Sequence, residues 1–325
     1  MKKNFAKVVA VVAAATMALS LAGCGSEKKT TKDSYTIGIC QLVQHVALDA
    51  ATQGFEDALT EKLGADKVNF DYQDASGDSA TCATIVNGFV AENVDLIMAN
   101  ATAPLQAAAS ATATIPILGT SVTDYASALD ISNWTGKTGY NVSGTSDLAP
   151  LSEQAAMIKE LFPDATTVGI LYCSAEANSQ YQADVITVEL QNLGYTVESF
   201  SFTDTNDVAT VTQNAADKCD VIYVPTDNAV ASNTGVIDQI CRPAGVPIVA
   251  GEEGICSGCG VATLSISYYD LGYTTGLMAY EILVNGADIT DMDVQYAPNV
   301  TKEYNAEICA ELNIEIPEGY VAIGE

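Results

Sequence analysis

Ile37-Gly38-Ile39 is followed 131 residues later by Val168-Gly169-Ile170, and this recurrence decides the fold. Two further pairs recur in the same order: Val94-Asp95-Leu96-Ile97 with Cys219-Asp220-Val221-Ile222, 125 residues apart, and Ile115-Pro116-Ile117 with Val246-Pro247-Ile248, 131 residues apart. Similar elements at a nearly constant spacing are the sequence signature of repeated structural units. The chain is therefore predicted to form two lobes of the same topology.

Apolar, β-branched runs alternate with segments of helical period on either side of these stretches. Strands are predicted over 35–41, 68–72, 95–99, 115–119, 167–172, 196–202, 220–224, 247–250 and 261–266. Helices are predicted over 46–63, 79–92, 104–113, 150–162, 179–193, 208–218, 229–241 and 269–284. Such alternation is typical of a parallel sheet covered by helices on both faces. The predicted fold class is α/β, with two doubly wound parallel-sheet lobes joined by a multi-strand hinge.

The glycine- and serine-rich segment Gly139–Pro150 falls where the chain would cross between the lobes. We predict that the first lobe comprises 35–144 plus 267–288, and that the second comprises 145–266 plus 289–325. Two lobes joined by several crossings can hinge, and the cleft between them is a natural ligand site.

The N-terminus has the layout of a secretory signal. Three lysines precede an apolar run, Val8–Leu21, which ends in Leu21-Ala22-Gly23-Cys24. Small residues before a cysteine resemble the bacterial lipobox, so we predict a signal peptide over 1–23, a lipid on Cys24 and a flexible linker over 24–34. The body would then be held at the extracytoplasmic face of the membrane by its lipid alone. An uncleaved membrane anchor is the alternative, because the run approaches spanning length.

Composition excludes several classes of function. The 325 residues are 48% hydrophobic, which is enough for two packed domains, and the net charge is −28. A protein with this much negative charge repels the phosphate backbone of nucleic acids, and nucleic-acid binding is therefore excluded. Arg242 is the only arginine. An anionic ligand group must therefore rely on backbone N–H groups, hydroxyls and helix N-termini.

Cysteine is frequent in this chain. Besides Cys24 there are eight cysteines, namely Cys40, Cys82, Cys173, Cys219, Cys241, Cys256, Cys259 and Cys309. Most are expected to be free and buried, although their even number permits disulfides. Cys256-Ser257-Gly258-Cys259 is interpreted as a turn holding a local disulfide or free thiols. Zinc is disfavoured because no second pair of ligands accompanies it.

No catalytic constellation stands out. His45 is the single histidine and has no clear serine or cysteine partner, and the chain has neither a Walker-type phosphate loop nor a Gly-x-Gly-x-x-Gly motif after the first strand. We therefore predict no catalytic residues, no metal site, no cofactor and no enzymatic activity.

Several polar blocks carry a resemblance to a known family. They are Gln41-Leu42-Val43-Gln44-His45, Asn100-Ala101-Thr102-Ala103-Pro104, Val122-Thr123-Asp124, Gly144-Thr145-Ser146-Asp147, Val224-Pro225-Thr226-Asp227-Asn228 and Ala250-Gly251-Glu252-Glu253-Gly254. Over Tyr35–Gly286 the chain resembles the ABC-transporter substrate-binding proteins of type I periplasmic-binding fold that bind tryptophan and related aromatic amino acids. The resemblance departs at Ile255–Gly260 and around Asp130–Thr138.

The resemblance implies a monomeric receptor that closes on a zwitterionic amino acid and delivers it to a permease and its ATPase. Ligands of doubly wound lobes lie beyond the carboxyl ends of the strands. The predicted first-lobe contacts are Gln44, His45, Thr102, Ala103, Thr123 and Asp124, and two further contacts, Ser146 and Asp147, are predicted where the chain crosses to the second lobe. Thr102 would cap the following helix and offer its hydroxyl and N–H to the ligand carboxylate. The alternative for these residues is a plain cap or turn.

The predicted second-lobe contacts are Tyr172, Asn178, Ser179, Asp227, Asn228, Glu252 and Glu253. An ammonium group enclosed in a cleft needs a carboxylate, and Asp227 or one of the two glutamates would supply it. Asp227 could equally cap a helix. The alternatives for the whole protein are a sugar or nucleoside receptor of the same fold, a membrane-tethered ligand sensor, and an exported enzyme on a flavodoxin-like scaffold.

Overall fold

A computed structural model of the chain describes residues 32–297 and 299–324. The predicted signal peptide over 1–23, the lipidated Cys24 and most of the predicted linker lie outside the described residues. Within the described part of the chain, no helix combines the length and the apolar character needed to cross a bilayer.

The strands of the described residues form two sheets. They are β1 (Tyr35–Gln41), β2 (Val68–Asp74), β3 (Leu96–Asn100), β4 (Ile117–Val122), β5 (Val142–Ser146), β6 (Thr167–Cys173), β7 (Thr196–Phe202), β8 (Val221–Val224), β9 (Ile248–Ala250), β10 (Ala262–Ser265), β11 (Gln295–Tyr296), β12 (Thr301–Tyr304) and β13 (Val321–Ala322). The first sheet has the order β11-β5-β4-β3-β1-β2, and the second has the order β13-β12-β10-β9-β8-β6-β7. Each contains the order 2-1-3-4-5 of a doubly wound fold.

Helices connect these strands. They are α1 (Val46–Leu63), α2 (Ser79–Glu92), α3 (Thr102–Ala111), α4 (Tyr125–Ala128), α5 (Leu151–Leu161), α6 (Ala177–Asn192), α7 (Val208–Ala216), α8 (Asn228–Ala231), α9 (Thr234–Ala244), α10 (Glu253–Cys259), α11 (Tyr268–Tyr280) and α12 (Ala306–Glu311). A π-helical turn over Glu281–Asn285 extends α11, and short 3-10 turns cover Thr205–Asp207 and Ile289–Asp291. The predicted α/β class with two parallel-dominated sheets is confirmed. The antiparallel exception is the pair β10 and β12.

The repeated residues occupy equivalent places in the two sheets. Asp95 Oδ2 accepts the backbone N–H of Thr36 at 2.8 Å, and Asp220 Oδ2 accepts that of Thr167 at 2.9 Å. Each aspartate thus ties the start of one parallel strand to its neighbour. Gly38 occupies a similarly restricted position, because a Cβ there would lie 2.5 Å from the ring of Phe89. Local packing therefore explains why these motifs occur twice.

Apolar helix faces cover the first sheet on both sides. Phe55 of α1 and Met278 of α11 pack on one face, and Phe89 of α2 packs on the other. Burying a side chain such as Phe55 contributes about 1.5–3 kcal/mol. Helices α1 and α11 approach so closely that a Cβ at Gly272 would lie 1.8 Å from the carbonyl oxygen of Ala51. This contact holds the C-terminal helix α11 against the N-terminal half of the chain.

The chain passes between the sheets at three places, after β5, after β10 and after β11. Residues 145–146 of β5 and residues 295–296 of β11, which the sequence assigns to the second lobe, belong to the first sheet, where the two strands pair. The predicted lobe limits otherwise stay a prediction. Three crossings side by side form the expected multi-strand connection.

Two local predictions are wrong. Helix α3 begins at Thr102 and not at Pro104, so the proline is the third residue of the first turn. The Cys256–Cys259 segment, predicted as a turn, belongs to helix α10. The eight cysteines within the described residues are all buried, and none of them forms a disulfide. Cys256 and Cys259 contribute to the apolar core beside β9.

Candidate functional site

The carboxyl ends of the strands in the two sheets face each other across a cleft. On the first side His45 follows β1, and on the second side Asn228 begins α8. His45 Nε2 lies 3.2 Å from Asn228 Oδ1, and because an amide oxygen only accepts, the ring N–H donates. Burial is the main cause that lowers the pKa of His45. The imidazole of His45 therefore joins the two lobes at this point.

Two unpaired hydroxyls lie at the ends of β3 and β4. Thr102 and Ser121 are buried, and their hydroxyl oxygens are enclosed without a hydrogen bond. The residue before the helix, Ala101, has a φ of +102°, and Ser121 has a φ of +55°. Backbone in this region is strained for residues other than glycine and concentrates at functional sites.

Thr102 does not cap α3, contrary to the prediction. The N-cap position is taken by Ala101, which offers no side-chain hydrogen bond. In the first turn Pro104 has no N–H and the N–H of Leu105 bonds the carbonyl oxygen of Ala101, which leaves the N–H groups of Thr102 and of the half-buried Ala103. These groups lie at the start of α3, next to the strand β4 that carries the unpaired hydroxyl of Ser121. This arrangement suits a carboxylate.

Other predicted first-lobe residues serve the protein itself. Asp124 accepts the backbone N–H of Ser127 at 2.7 Å and caps α4. Ser146 donates its hydroxyl to the carbonyl oxygen of Thr123 at 2.8 Å. Gln44 is exposed. These contacts are what the alternative of caps and turns predicts.

Asp147 differs from these residues because it retains an unpaired oxygen. It is 3% exposed, its Oδ2 accepts the hydroxyl of Tyr268 at 2.9 Å, and its Oδ1 is enclosed without a hydrogen bond. Burial raises its pKa to about 6, while the hydrogen bond from the Tyr268 hydroxyl offsets part of this rise. A buried carboxyl group whose pKa is raised by burial lacks a cationic partner.

Glu252 approaches from the second lobe. It is 2% exposed and caps α10 by accepting the backbone N–H groups of Gly254 and Ile255. Its pKa is raised to about 7, mainly by burial; the N–H groups of Gly254 and Ile255 offset part of this rise, and the charges of Glu253 and Asp147 add smaller contributions to it. The charge of Asp147 therefore reaches Glu252 from the other side of the cleft.

Asp227 is also buried, but both of its oxygens are occupied. Oδ1 accepts the N–H of Val230 at 2.8 Å, and Oδ2 accepts that of Cys173 at 2.6 Å. Burial raises its pKa to about 7, followed in importance by the charge of Glu176. Of the two predicted roles, its contacts are those of a helix cap.

The remaining second-lobe predictions divide into two groups. Asn178 donates to the carbonyl oxygen of Thr226 at 3.1 Å, and the buried Ser179 lies beside Asp227, so both are at the cleft. Tyr172 instead packs in the core and donates its hydroxyl to Gln180, away from the cleft. Glu253 is exposed at its rim.

Sequence reasoning missed three residues of this cluster, namely Glu176, Tyr268 and Ser121. Glu176 accepts from Asn228 Nδ2 at 2.7 Å and thereby orients the residue that meets His45. Tyr268 begins α11 after a lobe crossing, and no local motif marks it. Ser121 could have been identified from the sequence, because it lies two residues before Thr123, which is predicted as a ligand contact.

The charge balance of the cluster is one-sided. Every buried charged side chain in the described residues is acidic, namely Asp147, Asp227 and Glu252. Arg242 is bound at the surface by Asp238, Glu307 and Glu311. The protein thus places no cation of its own in the buried part of the described cleft.

The chain is similar to several known proteins. The model of a family described as ABC transporter substrate binding protein matches residues 36–323. A tyrosine-binding protein from Clostridioides difficile is 34% identical over 301 residues, which cover 89% of this chain and 87% of the relative.

Two solved structures are also similar. An ABC domain in complex with L-Trp from Streptococcus pneumoniae has a TM-score of 0.84 and 33% identity, over 89% of this chain and all of that chain. The ligand-free, open structure of a substrate-binding protein with adhesive properties from Clostridium difficile has a TM-score of 0.68 and 36% identity, over 89% of this chain and 99% of that chain. The open structure is thus the more similar in sequence and the less similar in shape.

Proposed function

The chain belongs to the ABC transporter substrate-binding protein family, and from that premise we propose that it captures an aromatic amino acid between its lobes. The observation that carries the proposal is Asp147, a buried carboxyl group with one unpaired oxygen and no buried cation near it. A ligand ammonium group supplies the missing charge. The names of the tyrosine-binding and L-Trp-bound relatives support the aromatic side chain.

The ammonium group is proposed to lie between Asp147 and Glu252. These two carboxyl groups come from opposite sides of the cleft and repel each other without a ligand. An ammonium group near both of them removes that repulsion and favours the ionised form of each buried carboxyl group. Backbone N–H groups already occupy both oxygens of Glu252 and of Asp227, so Glu252 contributes its nearby charge to the site. Asp227 is left out because the charge that acts on it is that of Glu176 and not that of Asp147.

The carboxylate is proposed to bind at the start of α3. The hydroxyls of Thr102 and Ser121 are unpaired there, and the first turn of the helix offers free N–H groups. Charge-assisted hydrogen bonds of this kind are about twice as strong as neutral ones. A zwitterion therefore meets complementary groups at both of its ends.

Lobe closure is the proposed mechanism. The lower TM-score to the open, ligand-free relative supports the inference that the present lobes adopt a closed arrangement. In this arrangement His45 contacts Asn228, and Tyr268 reaches Asp147 from a lobe crossing. A ligand that touches both lobes stabilises the closed state by its differential affinity for that state.

The proposed setting is the extracytoplasmic face of the membrane, with a lipid on Cys24 after removal of 1–23 and a permease with its ATPase as partners. We further propose that the protein acts as a monomer and binds its ligand without converting it chemically. The N-terminal basic and apolar segments support export, and membership of the family supports a permease and its ATPase as partners.

Mass spectrometry of the mature protein from its native membrane tests the lipid anchor. It should show an acylated N-terminal Cys24, and an unmodified Met1 would contradict this part of the proposal.

Isothermal titration of the purified protein with the twenty amino acids tests the ligand class. We expect L-tyrosine or L-tryptophan to bind most tightly, in the micromolar range or below (about −8 kcal/mol). Tyramine, which lacks the carboxylate, and hydroxyphenylpropionate, which lacks the ammonium, should each bind at least about a hundredfold more weakly. Binding of a sugar or nucleoside, with none of any amino acid, would overturn the proposal in favour of the alternative receptor.

A further inference from the structure

A second space between the lobes lies beside the crossings. It is a cavity of about 680 Å³, walled on the first side by the start of α1 and by α11, and on the second side by the start of α10 and by β12. Sites for small molecules have volumes of roughly 300–1,000 Å³. Asp147 and Thr102 do not line this cavity, whereas Glu252 and Tyr268 do, so it adjoins the proposed amino-acid site and is centred elsewhere.

Carboxyl groups dominate the charge of this cavity. Glu252, Glu253, Asp270 and Glu303 line it, and its described lining residues include no lysine, arginine or histidine. Glu303 Oε2 is enclosed without a hydrogen bond. Burial and the charge of Glu253 both raise the pKa of Glu303. The cavity therefore holds negative charge that the protein does not neutralise.

Tyrosine rings form much of the remaining wall. Tyr268, Tyr269, Tyr273 and Tyr296 all line the cavity. The rings of Tyr269 and Tyr273 stack with their centroids 6.2 Å apart, and Tyr296 is 53% exposed at the rim. Aromatic faces attract ammonium groups at exposed as well as at enclosed sites, and Tyr269 is 39% exposed. No cluster of acidic, histidine or cysteine side chains in the described chain is arranged to hold a metal ion, so the lining favours an organic cation.

We propose that this cavity binds a small organic ammonium ion, with Glu303 and Glu253 as its counter-charges and the Tyr269 ring as part of its wall. Tyr268 separates the two sites, since its hydroxyl bonds Asp147 in the cleft while the residue lines the cavity. Because both lobes wall the cavity, an occupant also stabilises the closed arrangement. The proposal does not depend on which ligand the main cleft takes.

The probe is choline, compared with its uncharged carbon isostere dimethylbutanol, in isothermal titration of the purified protein. We expect saturable choline binding with a dissociation constant below about 1 mM, and binding of the isostere at least about tenfold weaker. Glu303→Gln and Tyr269→Leu should each weaken choline binding at least about fivefold. The matched controls Glu92→Gln, an exposed acid far along α2, and Tyr269→Phe, which keeps the ring, should bind choline as the natural protein does.

The titrations are repeated with L-tyrosine present, and amino-acid affinity is measured for each variant. Undiminished choline binding in the presence of L-tyrosine supports two separate sites. No saturable binding, equal binding of the isostere, or competition between choline and the amino acid would each overturn the second site. Glu303→Gln should leave amino-acid binding unchanged, so failure of this inference and failure of the proposed function are distinguishable.

Discussion

The strand ends of the two sheets face the same cleft, but they hold their polar groups in opposite states. On the first side Thr102, Ser121 and Asp147 each retain a buried oxygen without a hydrogen bond. On the second side both oxygens of Asp227 accept the backbone N–H groups of Val230 and Cys173, and both oxygens of Glu252 accept those of Gly254 and Ile255. The first lobe thus leaves groups available for a ligand, whereas the second lobe uses the same residue types to build itself.

This difference shows why residue type and position alone do not define a ligand contact. An aspartate after a strand and before a helix is suited equally to capping and to binding. What separates the two roles is whether the carboxylate oxygens already have partners. Substitutions in the first lobe should therefore change affinity, and substitutions in the second lobe should change stability.

Asp147→Asn should have the largest effect on affinity. The variant removes the charge opposite the ammonium group, so we expect amino-acid binding to weaken about a hundredfold, which equals about 2.7 kcal/mol. Isothermal titration measures the change. The exposed control Asp164→Asn changes net charge equally and should bind as the natural protein does. An Asp147→Asn variant with unchanged affinity would remove this residue from the site.

The pH dependence of binding should be the next largest effect. The pKa of Asp147 is about 6 and that of Glu252 about 7 in the absence of a ligand, and the ammonium group binds only their ionised forms. Affinity should therefore rise as the pH rises from about 5 to about 8, by about tenfold or more over that range. In Asp147→Asn the slope below pH 6 should become shallower. A flat profile in the natural protein would contradict the two-acid site.

Thr102→Val should have a smaller effect on affinity, about fivefold to tenfold, because it removes one hydroxyl from the carboxylate site. The same change should leave stability unchanged or raise it, since the threonine hydroxyl is buried without a partner. Thermal unfolding in the absence of ligand, together with titration, separates the two quantities. Lower stability at unchanged affinity would indicate that the hydroxyl serves the fold.

Asp227→Asn should show the reverse behaviour. An amide nitrogen would face the N–H of Cys173 or of Val230, so we expect unfolding to become easier by about 1–3 kcal/mol. Amino-acid affinity should change less than about threefold when it is measured well below the unfolding temperature. Denaturant unfolding and titration of the same preparation test both parts. A large loss of affinity at unchanged stability would return Asp227 to the list of ligand contacts.

Much of the architecture could be predicted from the chain. The period of the apolar residues distinguishes strands from helices, and the recurrence of Gly38 as Gly169 and of Asp95 as Asp220 identifies two lobes of one topology. These are local signals, since each depends on neighbours along the chain or on an adjacent strand. The start of α3 was missed because Ala101 adopts a positive φ that its sequence does not indicate.

The sequence by itself determined the fold class, the acidic balance and the strand ends at which a ligand can bind. Only the tertiary structure decided which of those residues remain available, because that depends on hydrogen bonds between distant segments. Tyr268 reaches Asp147 across 121 positions, and Asp227 receives the N–H of Cys173 across 54. Burial has the same origin: it raises the pKa of Asp147 only once both lobes and a crossing enclose it.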